Sequence, residues 1–318
     1  MNGEHAFPAE NPQPGAENPR FELKNGDTMK KINLNDAVCV GAASPQARLV
    51  QALVSGKKLP EEYASDKTGV PADRLFVCEG DWAAEKLIEK GIRVILFLFC
   101  PDRLKEGERK NAEAMASYAD EFCSVSEKTC ARISDRDGAD SSFTVAVMPE
   151  WKLSDLKLSE NMTAIILDGQ EQPGNIGAIL RSLDAAGGDF AVYTNRRCKM
   201  THPRLVRSSL GAAFMMPFVE AEFGELTSWL EKNGFKAVVT DLTATKSYFD
   251  EDYSGRVAIV AGNEYKGISP GWRGLDIARP VIIPMLGSVE SLNVGFASTL
   301  VAYECSMRQK GIIKRNAE

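Results

Sequence analysis

The chain has 318 residues, of which 44% are hydrophobic and 26% charged, and its formal net charge at pH 7 is −6. This length favours two domains, and the composition is that of a globular protein, which excludes a disordered or fibrous chain. The negative charge argues against non-specific nucleic-acid binding over the whole surface, although it permits a local basic patch.

The sequence predicts no membrane anchor, secretion signal or metal site. Its longest strongly apolar run, Val94–Cys100, has seven residues, whereas a spanning helix needs about 20. No basic stretch followed by an apolar core stands near residue 1. The seven cysteines form no CxxC pair, and His5 and His202 are the two histidines. We therefore expect no metal, no disulfide framework and a cytoplasmic location.

Four segments are predicted along the chain. Residues 1–30 are rich in Pro, Asn, Gly and Glu, so we expect a disordered leader, or an extension upstream of a start at Met29. An N-terminal domain is predicted over 31–150, a linker over 151–159 and a C-terminal domain over 160–318.

Strands and helices alternate in the N-terminal segment, which predicts an α/β layer domain. A first helix begins near Gln46, where apolar residues recur at helical spacing, and Gly56 ends it. The predicted strands are Leu75–Cys78, Val94–Phe99, Phe122–Val125 and Phe143–Met148. Further helices are predicted at about 81–90 and 108–119 and after Ser126.

The alternation after residue 160 predicts a second α/β domain with a mainly parallel sheet. Its strands are predicted at Ala164–Leu167, Phe190–Tyr193, Ala237–Thr240, Val257–Ala261 and Val281–Pro284. Its helices are predicted at about 176–186, 226–233 and 292–309. In the last helix we expect a buried stripe made of Leu292, Phe296, Leu300 and Tyr303.

The first unusual stretch, residues 172–181, reads QPGNIGAILR and follows a predicted strand. Gly177 and Arg181 stand four residues apart on one helix face, so the glycine would leave a shallow cationic surface for a phosphate or ribose. The helix N-terminus near Asn175 adds partial positive charge. Taken alone, the stretch is better explained as an ordinary amphipathic helix with a solvated arginine.

The second stretch, residues 257–269, reads VAIVAGNEYKGIS. Gly262 and Gly267 follow a buried strand, where a glycine backbone can approach a ligand, and Glu264 is a candidate acid or base. A turn with solvated polar residues is the alternative.

The third stretch, residues 281–297, reads VIIPMLGSVESLNVGFA. A strand stops near Pro284, and a helix begins near Ser291 and Asn293, one of which is expected to cap it.

Together the three stretches resemble the motifs of the SpoU/TrmH family, the S-adenosylmethionine-dependent RNA ribose 2′-O-methyltransferases of the SPOUT superfamily. The resemblance covers about residues 160–310, and the chain looks most similar to the thiostrepton-resistance type of ribosomal RNA methyltransferase. The matching positions are Asn175, Gly177 and Arg181; Gly262, Asn263, Glu264, Gly267 and Ser269; and Ile283, Pro284, Met285, Ser291, Leu292, Asn293 and Val294.

The resemblance implies a fold, an activity and partners. The C-terminal domain would have a parallel sheet and a deep trefoil knot, residues 31–150 would be an L30e-like RNA-binding domain, and two chains would form a homodimer. The enzyme would transfer a methyl group from S-adenosyl-L-methionine to the 2′-hydroxyl of a ribose in structured RNA. Ribosomal RNA is favoured over transfer RNA as the substrate.

The resemblance also assigns roles to residues. Arg181 would be the central catalytic residue; because a guanidinium stays protonated, it would clamp the phosphate or hydroxyl while a phosphate oxygen or Glu264 takes the proton. The ribose would be oriented by Asn175, Ser291 and Asn293. The cofactor would be held by Leu242, Gly262, Ile283, Pro284, Met285 and Leu292. Family members usually carry Ser at the position of Gly295, which is expected to affect helix packing or cofactor fit.

A window without acidic residues supplies candidate RNA contacts. No Asp or Glu occurs from Phe190 to Val219. We expect its cations to contact phosphates, with a solvated charge run as the alternative. They are Arg196, Arg197, Lys199, Arg204 and Arg207.

Two other functions stay open. A non-catalytic RNA-binding protein that retains the SPOUT fold is disfavoured, because every motif position needed for catalysis is present. An NAD-dependent oxidoreductase is suggested only by the α/β alternation and is disfavoured, because no G-x-G-x-x-G follows a predicted strand.

Overall fold

The computed structural model describes residues 32–134, 138 and 140–313. The predicted leader and Met29 lie outside the described residues. Within these ranges, no helix is both long enough and apolar enough to cross a bilayer.

The first sheet belongs to the N-terminal domain and has the strand order β1-β4-β2-β3. Its strands are β1 Leu75–Glu79, β2 Val94–Phe99, β3 Glu121–Ser124 and β4 Ser142–Val147. Strand β2 runs parallel to β3, whereas β4 runs antiparallel to both β1 and β2. The sheet is therefore mixed.

Helices cover both faces of this sheet and confirm the predicted α/β layers. They are α1 Pro45–Ser55, α2 Ser65–Thr68, α3 Ala84–Glu89, α4 Arg109–Tyr118 and α5 Glu127–Ile133. Side chains alternate along a strand. Leu75 and Val77 consequently pack in the cluster that contains α1 and α5, while Phe76 and Cys78 pack with α3 and α4.

The limits of α1 follow from its sequence. The Ser44 hydroxyl accepts a hydrogen bond from the backbone N–H of Ala47 at 3.2 Å, and Pro45 occupies the first helical position. Gly56 ends the helix with φ at 67°, a left-handed conformation that glycine adopts without strain.

The second sheet has the order β10-β8-β9-β5-β6-β7, and every neighbouring pair is parallel. Its strands are β5 Met162–Asp168, β6 Phe190–Thr194, β7 Phe218–Glu220, β8 Phe235–Thr240, β9 Arg256–Ala261 and β10 Ala278–Val281. The predicted parallel sheet is confirmed. The strand predicted at Val281–Pro284 ends instead at Val281, so Ile283 and Pro284 lie in the following loop, and β7 was not predicted.

Helices lie on both faces of the second sheet. They are α6 Pro173–Ala185, α7 Pro203–Ser209, α8 Ala212–Met215, α9 Phe223–Lys232 and α10 Val294–Gln309. Helices α6 and α10 share one core cluster with Ile165 and Leu167, whereas α9 packs with Ala164 and Ile166 on the opposite face.

The buried face of α10 differs from the predicted stripe. Phe296 and Leu300 are 69% and 41% exposed, and Leu292 is also exposed. The buried positions are Gly295, Ser298, Val301, Ala302, Cys305 and Ser306. The predicted stripe is therefore wrong. The helix turns its smaller side chains inward because they allow a close approach to α6 and the sheet.

Helices α7 and α8 join the two domains. Phe214 stacks on Phe76 with ring centroids 5.3 Å apart, and Val206 also belongs to the core cluster of the N-terminal domain. The hydroxyl of Thr201 donates to the backbone carbonyl of Asp73 at 3.1 Å. The C-terminal domain thus completes the core of the N-terminal one.

Helix α6 packs against α7 at Gly177. A Cβ at this position would lie 2.0 Å from Ser208 Oγ and 2.4 Å from the Leu205 carbonyl oxygen. Helix α7 therefore covers the glycine. The expectation that Gly177 leaves a shallow surface for a phosphate is wrong, because that space is filled by the neighbouring helix.

Replacing Gly177 by Ala should destabilise the fold by about 1–3 kcal/mol, because the added methyl overpacks the α6–α7 contact. Gly174→Ala on the same helix is the matched control, since a Cβ there meets nothing within 4 Å. The control should be neutral or slightly stabilising. Urea unfolding of both variants measures the difference, and equal stability would show that α7 yields without cost.

Candidate active site

The three motifs meet at one edge of the second sheet. Strands β10, β8, β9 and β5 are parallel neighbours, so the loops after their C-terminal ends share that edge. Leu242 follows β8, Gly262 follows β9, and Ile283 follows β10. Strand β5 ends at Asp168 and leads into α6, which carries Asn175 and Arg181.

Glu264 joins the second motif to the first. Its carboxylate accepts hydrogen bonds from the backbone N–H groups of Glu171 at 3.3 Å and Gln172 at 3.2 Å, and from Asn175 Nδ2 at 3.1 Å. Helix α6 begins at Pro173, so the carboxylate lies at its N-terminus, where the helix dipole favours an anion. Glu264 therefore fixes the loop that leads into α6.

Asn293 joins the third motif to the first. Its Nδ2 donates to Asn175 Oδ1 at 3.4 Å, and its Oδ1 accepts from the Gly295 N–H at 2.8 Å as the N-cap of α10. Of the two predicted cap candidates, Asn293 is thus the cap. Ser291 is exposed and makes no hydrogen bond with a described residue. Gly295 is buried, and a Cβ there would lie 3.0 Å from the capping oxygen.

Asp168 is an anchor that the sequence showed only as the end of a strand. It is 1% exposed. Its carboxylate accepts from the Ser269 N–H at 2.7 Å and hydroxyl at 2.8 Å, from Asn195 Nδ2 at 2.7 Å and from Trp272 Nε1 at 3.1 Å. Because Ser269 closes the second motif, Asp168 holds that loop against β5.

Gly262 serves the turn that follows it. A Cβ at this position would lie 2.5 Å from the Gly267 carbonyl carbon and 2.5 Å from the Ile268 nitrogen. The glycine therefore allows the loop to fold back on itself. The space that we expected a ligand to use is occupied by the protein's own backbone. The Gly262 carbonyl accepts a hydrogen bond from Gln170 Nε2.

Arg181 is exposed and makes no hydrogen bond or ion pair with any described residue. It stands six residues after Asn175 on α6, which is about 9 Å along the axis. Helical side chains lean toward the N-terminus, so the guanidinium extends back in the direction of Asn175. Arg181 is thus a cation without a partner among the described residues, on the same helix as Asn175.

The sequence profile of the SpoU rRNA Methylase family matches residues 162–303. The match lies within the C-terminal domain. The chain is 34% identical over 172 residues to a 23S rRNA (uridine(2479)-2′-O)-methyltransferase of Streptomyces viridochromogenes, covering 52% of this chain and 59% of that protein. It is 35% identical to a 23S rRNA (guanosine-2′-O-)-methyltransferase of Coxiella burnetii, covering 46% and 58%. The chain thus spans about three fifths of these relatives' length.

Solved structures of SpoU proteins match more of the chain. The SpoU methyltransferase AviRb of Streptomyces viridochromogenes, in complex with AdoMet, aligns with a TM-score of 0.70 and 27% identity over 84% of this chain and 98% of that one. A crystal structure of an RNA 2′-O ribose methyltransferase aligns at 0.69 and 27% identity over 86% and 98%. The predicted family resemblance is confirmed.

The third motif lies in a loop whose backbone groups are not hydrogen-bonded within the described part of the chain. From residue 283 to residue 292, no backbone N–H or carbonyl forms a hydrogen bond with a described residue. Ile283 and Met285 are nevertheless half-buried, while Leu292 and the neighbouring Leu242 expose apolar surface. Unpaired backbone groups beside apolar side chains can bind a ligand that has both a polar and an apolar part.

The basic window lies on α7 and the loop before it. Arg196 forms an ion pair with Glu220. Burial, with Arg204 and Lys199 nearby, lowers the pKa of His202, whose Nδ1 accepts the Arg204 N–H at 3.1 Å. His202 is therefore a neutral helix cap at pH 7. The exposed cations without an ion pair to a described residue are Arg197, Lys199, Arg204 and Arg207.

Replacing Asp168 by Ala should cost about 3 kcal/mol, because it leaves buried donors of Ser269 and Trp272 without an acceptor. Asp184→Ala is the control, because Asp184 is exposed near the C-terminus of α6, where a negative charge does not stabilise the helix. Denaturant unfolding provides the measurement. A loss equal to that of the control would mean that the anchor is dispensable.

Proposed function

We propose that the protein transfers a methyl group from S-adenosylmethionine to a ribose 2′-hydroxyl of ribosomal RNA. The observation that carries the proposal is the meeting of the three motifs at one sheet edge, where Asn175, Glu264 and Asn293 are hydrogen-bonded together. Helix α6, which carries Asn175, also carries the unpaired Arg181. The printed names of the relatives, 23S rRNA 2′-O-methyltransferases, support the substrate class. A cytoplasmic location belongs to the same proposal.

S-adenosylmethionine would supply an electrophilic methyl group on sulfur. The residues assigned to hold it are Leu242, Gly262, Ile283, Pro284, Met285 and Leu292. Their fit rests on the free backbone of 283–292 and on the exposed apolar surface of Leu242 and Leu292. Gly262 contributes by shaping its loop, as its tight turn indicates.

The 2′-oxygen of the ribose attacks the methyl carbon while the carbon–sulfur bond breaks, and the hydroxyl proton must leave. Arg181 binds the neighbouring phosphate and aligns the hydroxyl for this in-line attack, whereas Asn175, Asn293 and Ser291 orient the ribose. Arg181 cannot act as a base, because a guanidinium stays protonated. Three donors already hold the Glu264 carboxylate, so a phosphate oxygen of the RNA accepts the proton and Glu264 acts by positioning Asn175.

The N-terminal domain would bind the RNA as an L30e-like domain over residues 31–150, with 151–159 as linker and 160–318 as the methyltransferase domain. Its three layers around a mixed four-stranded sheet support this assignment. Further phosphate contacts would come from Arg197, Lys199, Arg204 and Arg207. Arg196 would join them only by exchanging its ion pair with Glu220 for a phosphate.

The deep trefoil knot of the C-terminal domain is part of the same proposal. Its support is the path of the chain after β10. That strand is at the edge of the sheet, yet α10, which follows it, packs on the central strands β5 and β9. The chain must therefore cross back over the loops of the site to reach its position.

A homodimer would form through the exposed face of α10. Phe296, Leu300 and Leu292 leave a contiguous apolar stripe uncovered by the described part of the chain. An apolar stripe along a helix is the surface that a second copy can bury. It begins at the residues of the third motif, so a partner there would also close the site.

Arg181→Ala should fold normally and bind S-adenosylmethionine as before, because the side chain is exposed and touches no cofactor loop. Methyl transfer should fall at least about a hundredfold, since a charge that orients the nucleophile is lost. Arg181→Lys should rescue little, because a point charge does not reproduce the planar fork. Single-turnover transfer of labelled methyl to unmodified 23S rRNA transcript is the measurement.

Lys232→Ala controls for loss of a surface charge and should keep the parental rate, because Lys232 is exposed on α9, on the opposite face of the second sheet from α6. Near-parental rates for Arg181→Ala would refute its catalytic role. Wild-type protein that binds the transcript but transfers no methyl to it would favour the non-catalytic RNA-binding alternative. Binding of NAD in place of S-adenosylhomocysteine would favour the oxidoreductase.

Phe296→Asp combined with Leu300→Asp should convert a dimer into a monomer, because charges on the apolar stripe disfavour its burial. Light scattering after size exclusion should give twice the 34.7 kDa chain mass for wild type and a single chain mass for the variant. Val38→Asp is the control, because Val38 is as exposed as Phe296 but lies at the other end of the chain. A double variant that remains dimeric would move the interface elsewhere.

A further inference from the structure

One aromatic side chain beside the candidate site has no role in the fold. Tyr265 directly follows Glu264 and is 80% exposed. In the described part of the chain, its ring stacks on no other ring and its hydroxyl forms no hydrogen bond. Removing the side chain would therefore cost the folded protein almost no packing.

The turn that carries Tyr265 is held firmly. Asn263 Oδ1 accepts the backbone N–H groups of Tyr265 and Lys266, both at 3.0 Å. Asn263 and Gly267 exchange two backbone hydrogen bonds of 2.8 and 2.9 Å. Gly267 adopts φ of 70°, which closes the turn without strain. The ring thus projects into solvent from a pre-organised backbone, which reduces the entropy lost when a ligand binds it.

Tyr265 is adjacent in sequence to Glu264, which is part of the candidate site. Glu264 binds the loop before α6 and Asn175, so the adjacent Cα of Tyr265, about 3.8 Å further along the chain, lies at the mouth of the site. Lys266 is exposed and, like Arg181, has no ion pair with a described residue. Glu171 is the exposed carboxylate close to them.

We propose that Tyr265 stacks on an RNA base at or next to the target nucleotide and holds its ribose in front of Arg181, with Lys266 contacting the phosphate on that side. An aromatic face beside free cations is the chemistry that binds unpaired nucleotides. The inference rests on the proposed function and sharpens its substrate class. The target lies in a loop, bulge or other unstacked position, because a base inside a continuous duplex offers no free face.

Four variants of the full-length protein separate stacking from bulk: Tyr265→Ala, Tyr265→Leu, Tyr265→Phe and Tyr265→Trp. With unmodified 23S rRNA transcript, the Tyr265→Ala and Tyr265→Leu variants should have a KM for RNA at least about tenfold higher than wild type. This increase corresponds to the loss of one base–aromatic stack. Phe and Trp should stay within about threefold of wild type, because they keep an aromatic face. The affinity for S-adenosylmethionine and the melting temperature should not change in any variant.

Photo-cross-linking identifies the contact directly. The transcript is made with 4-thiouridine, irradiated with wild-type protein and digested with trypsin, which releases residues 257–266 as one peptide. We expect a cross-link on this peptide at Tyr265 and none there after Tyr265→Ala.

The possible failures are distinguishable. If the wild-type protein methylates the transcript and the Tyr265→Ala and Tyr265→Leu variants have the same KM for RNA, the stacking role is overturned and the proposed function stands. Wild type that methylates no RNA would overturn both. Ala and Leu variants with a changed oligomeric state by light scattering would also overturn it, because the ring would then bind a second copy of the chain.

Discussion

The carboxylate of Glu264 determines how the amides of Asn175 and Asn293 are oriented in the candidate site. A carboxylate only accepts, so Asn175 must present Nδ2 to it and keep Oδ1 for Asn293. Asn293 must then donate with Nδ2, which leaves its Oδ1 to cap α10. One anion at the start of α6 thus orients two amides and the start of α10. The three motifs depend on this series of hydrogen bonds for their positions relative to one another.

The sequence predicted the buried strands well, because a short apolar run bounded by turn residues rarely forms anything other than a buried strand. Strand β2 was predicted at its observed limits, Val94–Phe99. At the edge of the second sheet the same rule failed. Strand β10 pairs only with β8 and is half-exposed, while the apolar run VIIP continues past it into the third-motif loop. Helices α7 and α8 were not predicted, and α8, with four residues, is too short to show a helical period.

The motif residues were identified from the sequence, but their contacts were not. Helical spacing identified one apolar stripe on α10, yet that stripe faces outward and the helix buries its smaller side chains. Spacing also grouped Gly177 with Arg181, although α7 covers the glycine and leaves the arginine free. Periodicity defines which residues share a face. Which neighbouring element covers that face depends on the shapes of the packed elements, and a single sequence does not show those shapes.

In the proposed function, helix α7 would link RNA binding to the candidate active site. Its free cations, Arg204 and Arg207, stand on the same short helix that contacts Gly177 of α6 and the core of the N-terminal domain. A phosphate bound by α7 would therefore contact an element that packs directly on α6, the helix that carries Arg181. An RNA held jointly by the N-terminal domain and α7 would be placed relative to Arg181 by packed side chains and not by a flexible linker. RNA affinity and the position of Arg181 would then depend on one structural element, and a substitution that loosens the α6–α7 contact should impair both RNA binding and methyl transfer.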